Sequence, residues 1–217
     1  MSFDYYIYFQ IICLLLAIIN YRRLKVYKLG AFVFLIYIAC VVEIAGFELK
    51  QHKETNYLIY NFYLIFSTPV QLLLFYNMLQ LVRLQQKIFI VISFLLMLFL
   101  LIDFYFFQGV NIFNTYSLVL IMFLNIVFSV LVLFKSFLVD EITTSFFRHP
   151  YLWINAGILI FSLGALVMLG LQQYIEVNKL VINNKNAYRQ VMPVLNVILY
   201  SAYSYAFLLC RQTSSSQ

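Results

Sequence analysis

Charged residues are scarce in this chain. Only 10% of its 217 residues are Asp, Glu, Lys or Arg, whereas 65% are hydrophobic; a soluble globular domain contains about 25% charged residues. This composition excludes an ordinary soluble domain and indicates a protein whose solvent is lipid.

Cysteine and histidine are also rare, which bears on disulfides, metals and cofactors. The three cysteines, Cys13, Cys40 and Cys210, fall in apolar segments and show no C-x-x-C spacing. An odd number with this placement does not predict a disulfide framework. The two histidines, His52 and His149, are predicted to lie on opposite sides of a membrane, so we expect no metal site and no haem or other cofactor.

Catalytic motifs are missing as well. The sequence contains no G-x-S-x-G, no H-E-x-x-H and no glycine-rich phosphate loop, and no Cys and His pair is predicted on one side of a membrane. We therefore expect that the protein is not an enzyme. The last apolar segment has no lysine deep within it, which argues against a retinal protein.

What the chain does contain is long apolar segments. Seven of them, each predicted to be a helix, cover residues 3–20, 29–48, 58–81, 88–107, 113–134, 151–174 and 188–210. Each is close to the roughly 20 residues that cross a bilayer, and only helices or closed barrels satisfy the backbone there. Continuous apolar runs favour helices, so the predicted fold is an all-α, polytopic bundle of seven transmembrane helices. It forms a single membrane domain over residues 1–217, without a soluble domain.

The basic residues predict the orientation. Cytoplasmic loops retain excess Lys and Arg, and one set of loops carries nine of them while the other carries five. The first set is predicted to be cytoplasmic, which places the N-terminus outside and the C-terminus inside a multi-pass protein of the cell inner membrane. The net charge of +6 is explained by loops beside an anionic leaflet, so the lipid bilayer is the expected partner and nucleic acid is not.

Two carboxylates lie inside the predicted spans, where charge is costly and commonly functional. At about 1.5 Å per residue, Glu43 and Asp103 both fall roughly 6 to 9 Å beneath the outer boundary. Other polar side chains reach a similar depth, and together they form a predicted polar layer in the outer third of the helices. The candidate ligand-binding residues are Glu43, Tyr60, Asn61, Asp103, Asn114, Tyr116, Asn196 and Tyr200.

The polar side chains of the third span recur at intervals of three and four residues, so they share one face, predicted to point inward. Gln71 on this face and Asn125 on the fifth span form a candidate inner polar path. The alternative is that these side chains only join helices through hydrogen bonds.

On the predicted cytoplasmic side, the longest loop mixes charges with aromatic residues. Its candidate partner-binding residues are Asp140, Glu141, Arg148 and His149; the alternative is an amphipathic connector that ends where Pro150 starts the next helix.

Four sequence segments suggest a family resemblance. They are VEIAG at 42–46, NYLIYNFY at 56–63, FNTYS at 113–117 and PYLWINAGILIFSLG at 150–164. With these segments the chain resembles small, uncharacterised seven-helix membrane proteins of Bacteroidota, similar to the seven-helix sensor modules that precede histidine kinase domains. The matching positions are Glu43, Tyr60, Asn61, Asn114, Trp153 and Asn155. The resemblance implies no particular ligand, and because no kinase domain follows the seventh span here, signalling is expected to need a separate partner.

Three functions remain open at this point. The first is a membrane sensory or signalling-accessory protein with a polar pocket, acting through a histidine kinase or another cytoplasmic or membrane partner. The second is a small transporter or a proton- or cation-coupled carrier that uses Glu43 and Asp103. The third is a structural subunit of a membrane complex. The sequence leaves the ligand, the partner and the oligomeric state open.

Overall fold

Long apolar segments with few helix-breaking residues fold into α-helices, and a computed structural model of the chain consists almost entirely of them. It describes residues 5–52, 54–139, 146–178, 181–182 and 185–212. In chain order the helices are α1 Tyr5–Ile19, α2 Tyr21–Val26, α3 Gly30–Gln51, α4 Tyr57–Leu79, α5 Arg83–Ile102, α6 Thr115–Val139, α7 Pro150–Gly170, α8 Gln172–Val177 and α9 Ala187–Gln212. A π-helical turn, Asp103–Phe107, extends α5; a 3₁₀ turn, Phe146–Arg148, precedes α7; and two short strands, β1 Val181–Ile182 and β2 Lys185–Asn186, pair antiparallel before α9.

Six helices in the described residues are long and apolar enough to cross a membrane. They are Gly30–Gln51, Tyr57–Leu79, Arg83–Phe107, Thr115–Phe137, Pro150–Gly170 and Gln190–Cys210. The predicted all-helical, multi-pass membrane architecture is therefore supported, and contact with a lipid bilayer follows from it. The first predicted span corresponds to Tyr5–Ile19, an apolar helix of 15 residues, so the seventh crossing and the orientation stay predictions.

The described helices form two compact units. The terminal unit comprises Met1–Asn20 and Met122–Gln217, and the central unit comprises Tyr21–Ile121. In the terminal unit, α7 and α1 both pack against α9. Close approach of α7 to α9 depends on glycine, since a Cβ on Gly157 would lie 3.0 Å from the Ala202 Cβ and one on Gly164 would lie 2.6 Å from the Leu195 methyl groups.

In the central unit, α3 and α4 run antiparallel and α5 packs beside α4. Two hydrogen bonds at opposite ends of the α3–α4 pair show the direction. Tyr60 Oη donates to Glu43 Oε2 at 3.1 Å, and Asn77 Nδ2 donates to the Lys28 carbonyl at 3.3 Å. The central unit therefore has two distinct ends: one where α3 finishes and α4 begins, and one where α3 begins and α4 finishes.

Candidate functional site

The N-terminus of α6 is held by hydrogen bonds from several parts of the central unit. The first backbone N–H groups of a helix have no partner within the helix, and in hydrocarbon there is no water to bind them. Here the N–H of Tyr116 donates to Gln108 Oε1 at 3.0 Å, and the N–H of Ser117 donates to Asp103 Oδ2 at 3.1 Å. A carboxylate in this position also interacts favourably with the positive end of the helix dipole.

Asp103 is the most deeply buried acidic side chain at this place, with none of its surface exposed. Its Oδ2 accepts a second hydrogen bond from Ser117 Oγ at 2.5 Å. Its backbone carbonyl accepts from the N–H groups of Gln108 and Gly109 at 3.1 and 3.2 Å, which closes the π-helical turn. The other carboxylate oxygen, Oδ1, has no hydrogen-bond partner among the described residues.

Asn61 reaches from α4 to the segment that precedes α6. Its Nδ2 donates to the Ile112 carbonyl at 2.7 Å, and its Oδ1 accepts from the N–H of Asn114 at 2.9 Å. The orientation of the Asn114 amide that satisfies both of its ends has the nitrogen donating to the carbonyls of Gly109 and Ile112, each at 3.1 Å. Both side chains are buried, so this part of the predicted polar layer fixes the chain between the π-turn and α6.

Glu43 occupies a neighbouring position on α3. Besides accepting from Tyr60 Oη, it lies within electrostatic reach of the Cys40 thiol and the Tyr63 phenol. The absence of a side chain at Gly46 lets Tyr60 lie close to α3. A Cβ on Gly46 would lie only 2.9 Å from the Tyr60 hydroxyl oxygen. The Tyr60 ring also meets Phe113 edge-on, with ring centroids 6.5 Å apart.

These contacts define one cluster, which we call the polar end of the central unit. It consists of Glu43, Tyr60, Asn61, Asp103, Asn114 and Ser117. No family model, curated protein or solved structure matches this chain. The chemistry of the polar end is therefore the basis for assigning it a function.

The structure brings together five of the eight predicted ligand-binding residues at the polar end. Tyr116 lies beside them on α6, but its side chain is 62% exposed and only its N–H takes part in the hydrogen bonding. Asn196 and Tyr200 belong to α9 of the terminal unit. Asn196 Nδ2 donates to the Met192 carbonyl one turn earlier at 3.1 Å, and the buried Tyr200 ring meets Tyr203 edge-on at 6.1 Å between ring centroids.

The predicted inner path is divided between the two units. Gln71 is half-buried on α4 of the central unit, whereas Asn125 is buried on the part of α6 that belongs to the terminal unit. Each lies within a helix, as predicted. A continuous path between them stays a prediction.

The predicted partner loop is described only at its end. Asp140 and Glu141 lie outside the described residues, while Arg148 and His149 are exposed before α7. Trp153 Nε1 donates to the Phe147 carbonyl at 2.9 Å, and its ring meets Tyr205 edge-on at 4.7 Å between centroids. This contact ties the exposed residues to the start of α7.

Two features of the polar end were missed from the sequence. Gln108 supplies an acceptor to α6, and the Ile112 carbonyl accepts from Asn61. Gly109, whose φ of +76° suits glycine, was the available sign of a tight turn here. A contact made by a backbone carbonyl does not depend on the side chain of that residue, so the Ile112 contact could not be predicted from residue types.

The polar end offers groups for hydrogen bonding and for binding charge. In the described part of the chain, no three His, Cys, Asp or Glu side chains converge as metal ligands would. The available chemical groups are two carboxylates, a phenol, two carboxamides and the Ser117 hydroxyl. They can accept hydrogen bonds from an amine or hydroxyl group, or attract a cation.

Proposed function

We propose that the protein is a membrane sensory or signalling-accessory protein that acts through a separate cytoplasmic or membrane partner. The polar end would receive an extracytoplasmic or lipid-borne ligand with amine or hydroxyl groups. One observation carries the proposal: Asp103 is wholly buried, and one of its oxygens accepts two hydrogen bonds while the other has no partner among the described residues. A buried acceptor without a partner costs about 1–3 kcal/mol, and a donor from a ligand would remove that cost.

The proposed signal begins at the start of α6. Asp103 both caps this helix and offers its second oxygen to a ligand, so binding would change the forces on the cap. α6 then runs without a break from Thr115 to Val139, next to the predicted partner loop. A ligand shifts such a system only if it has different affinities for two arrangements of the helices. The proposed two arrangements differ at the cap of α6, which contains the Asp103 carboxylate that the ligand would contact.

Capture of the partner tests this proposal. The tagged protein would be crosslinked in cells, purified gently and compared with Asp103→Asn and with the control Glu48→Gln, which alters an exposed carboxyl near the same end of the central unit. In Asp103→Asn, the amide oxygen retains the acceptor for Ser117 and the amide nitrogen replaces the free acceptor with a donor. We expect to recover a kinase or regulator. Its recovery should change at least about fivefold in Asp103→Asn, which is the lower end of typical allosteric coupling, and should be unchanged in Glu48→Gln.

Two further variants locate the output surface. Arg148→Ala and His149→Ala should lower recovery of the same partner, because both residues are exposed where the predicted partner loop meets α7. Recovery of no regulator, or equal recovery from all variants, would contradict the sensory proposal.

A proton- or cation-coupled carrier is the second candidate function. It is favoured by the presence of Glu43 and Asp103 at the same end of the central unit, the first half-buried and the second fully buried. Proteoliposomes that contain a trapped pH-sensitive dye should then show proton flux under an imposed pH gradient, and Glu43→Gln should abolish it. If neither flux nor a regulator is found, and substitutions at the polar end impair folding and complex formation together, the third function, a structural subunit, is supported.

A further inference from the structure

The end of the central unit opposite the polar end is strongly basic. Six basic side chains lie there: Arg22, Arg23, Lys25, Lys28, Arg83 and Lys87. No Asp or Glu occurs at residues 21–42 or 55–102. The acidic residues of the central unit, Glu43, Glu48, Glu54 and Asp103, lie toward its polar end. We call these six side chains the basic end.

Tertiary contacts bring its two sequence segments to the same place. Asn77, near the end of α4, donates to the Lys28 carbonyl and so joins that helix end to the corner between α2 and α3. α5 starts four residues after α4 ends, and the Tyr76 and Phe89 rings lie 5.9 Å apart. The first turn of α5, with Arg83, therefore lies at the same end of the central unit as the α2–α3 corner.

The corner holds one of its cations, Lys25, against neighbouring residues. Leu24 is completely buried and anchors α2. The Lys25 ammonium lies 5.0 Å from the centre of the Tyr21 ring, and the stem of Lys25 packs against Gly30, where a Cβ would lie 3.1 Å from its Cγ. Arg22 on the same short helix is exposed. A cation held as Lys25 is loses less conformational entropy when it binds an anion.

Exposed apolar side chains accompany the charges. Val26 is 81% exposed, Leu84 is 69% exposed and Val82 is 63% exposed. A surface that combines several cations with exposed apolar groups suits the boundary between phosphate headgroups and acyl chains, where both kinds of side chain are satisfied. Arginine is well suited to the phosphate because its planar guanidinium forms paired hydrogen bonds.

We propose that the basic end is a binding site for anionic phospholipid, with Arg22, Lys25 and Arg83 contacting the headgroup phosphate. Val26 and Leu84 lie against the acyl chains beside it. The site is separate from the polar end and does not depend on the function proposed for that end. It distinguishes lipids by charge, so a zwitterionic phospholipid of the same chain length binds it weakly.

Native mass spectrometry of the full-length protein in detergent tests the site. Phosphatidylglycerol and phosphatidylcholine with identical chains would be offered at equal concentration. We expect phosphatidylglycerol to be retained about tenfold or more in preference, since two to three juxtamembrane cations at the surface are sufficient for that ratio. The preference should fall in high salt, because exposed charges are screened.

Matched variants separate this site from the effect of net charge. Arg83→Gln removes one cation from the basic end, and Lys50→Gln removes one exposed cation from the far end of α3 in the same unit. Arg83→Gln should reduce the preference about fivefold, and Lys50→Gln should leave it unchanged. The triple variant Arg22→Gln, Lys25→Gln and Arg83→Gln should remove the preference.

Three results would overturn the proposal. They are equal retention of the two lipids by the unaltered protein, an equal loss in Lys50→Gln and Arg83→Gln, and displacement of bound lipid by inorganic phosphate at the same concentration, which would assign the site to a free anion. If the triple variant does not fold, the two single variants decide the question.

Discussion

Asp103 is the residue on which most of the interpretation depends. A carboxylate within a membrane-spanning helix is expensive, and here the cost is partly offset because its Oδ2 caps α6 through two donors of Ser117. Capping accounts for one oxygen of Asp103 and leaves Oδ1 without a partner in the described part of the chain. A purely structural cap would need only the first oxygen, and so the second is the reason for proposing a ligand.

Ser117→Ala measures the strength of the cap. The substitution removes the Oγ–H that donates to Asp103 but keeps the backbone N–H, so the carboxylate loses one of its two donors. We expect the free energy of unfolding to fall by about 1–2 kcal/mol, between the average for hydrogen bonds in membranes and the value for bonds to charged groups. Unfolding in mixed micelles with increasing SDS would measure it.

Ser93→Ala is the matched control for this change. Ser93 also lies on a membrane-spanning helix of the central unit, and its Oγ is buried with no hydrogen-bond partner among the described residues. Its loss should be neutral or slightly stabilising, because a buried hydroxyl without a partner contributes no bond. Equal destabilisation by the two substitutions would show that Asp103 does not depend on Ser117.

Among the helices, α7 and α9 of the terminal unit depend most clearly on small residues. Without a hydrophobic driving force between helices in lipid, close packing supplies much of the attraction. Gly157 and Gly164 both face α9, but they meet different groups there: the Ala202 Cβ and the flexible end of Leu195. The consequence of adding a methyl group should differ accordingly.

Gly157→Ala should destabilise the protein more than Gly164→Ala, although the Gly164 contact is shorter. The new methyl at position 157 would lie 3.0 Å from the Ala202 Cβ, which cannot rotate away, so the two backbones must separate. At position 164 the obstacle is the Leu195 side chain, which can change rotamer. Typical overpacking costs predict a loss of about 1–3 kcal/mol for Gly157→Ala and a smaller one for Gly164→Ala. SDS titration of both variants would measure the difference, and the reverse order would contradict this account of the interface.

Apolar length was enough to predict the six candidate spans, because a bilayer imposes a similar length on every crossing helix. The predicted span at 88–107 nevertheless starts five residues later than α5, which begins at Arg83. Polar residues such as Gln85 and Lys87 form a good first helical turn but do not register as apolar. For the same reason the residues of α2 fall between the predicted spans 3–20 and 29–48, although Arg and Lys favour helices.

The polar end was predictable only in part. Depth in the membrane grouped Glu43, Tyr60, Asn61, Asp103 and Asn114 correctly, because residues at equal height on neighbouring helices can meet. The same argument included Asn196 and Tyr200, which the structure assigns to the other compact unit. Height in the bilayer does not determine which faces converge. Asp103, which accepts hydrogen bonds from Ser117, also begins a π-helical turn that no side-chain pattern predicts.

For the full chain, the number of membrane crossings determines on which side of the membrane each loop lies. The described part of α1 has 15 residues and is about 22 Å long at 1.5 Å per residue, shorter than the roughly 30 Å hydrocarbon core. Bilayer thinning and flanking residues accommodate such a mismatch at modest cost. We therefore keep the prediction that α1 crosses, with the start of the chain on the opposite side from Arg22.

Labelling with a membrane-impermeant maleimide suits this question because the native cysteines give little background. Cys13 and Cys210 are 0% exposed and Cys40 is 5% exposed. Single cysteines can therefore be introduced into the otherwise unaltered chain at exposed positions. His52→Cys and Arg83→Cys provide the internal control. Since α4 lies between them, α3, α4 and α5 as spans require these two cysteines to be labelled from opposite sides of the membrane.

If α1 crosses, Tyr5→Cys should be labelled in intact cells together with His52→Cys, whereas Arg22→Cys should be labelled only after the membrane is permeabilised. All three positions are exposed in the structure, so a failure to react reports the side of the membrane rather than burial. The physical reason for the expected side of Arg22 is the cluster of cations around it, which cytoplasmic loops retain.

Labelling of Tyr5→Cys and Arg22→Cys under the same condition would mean that α1 does not cross. If both reacted only after permeabilisation, α1 would lie along the cytoplasmic face, and the basic end would still meet the anionic leaflet. If both reacted in intact cells, the predicted orientation would be wrong, and the basic end would face the outside.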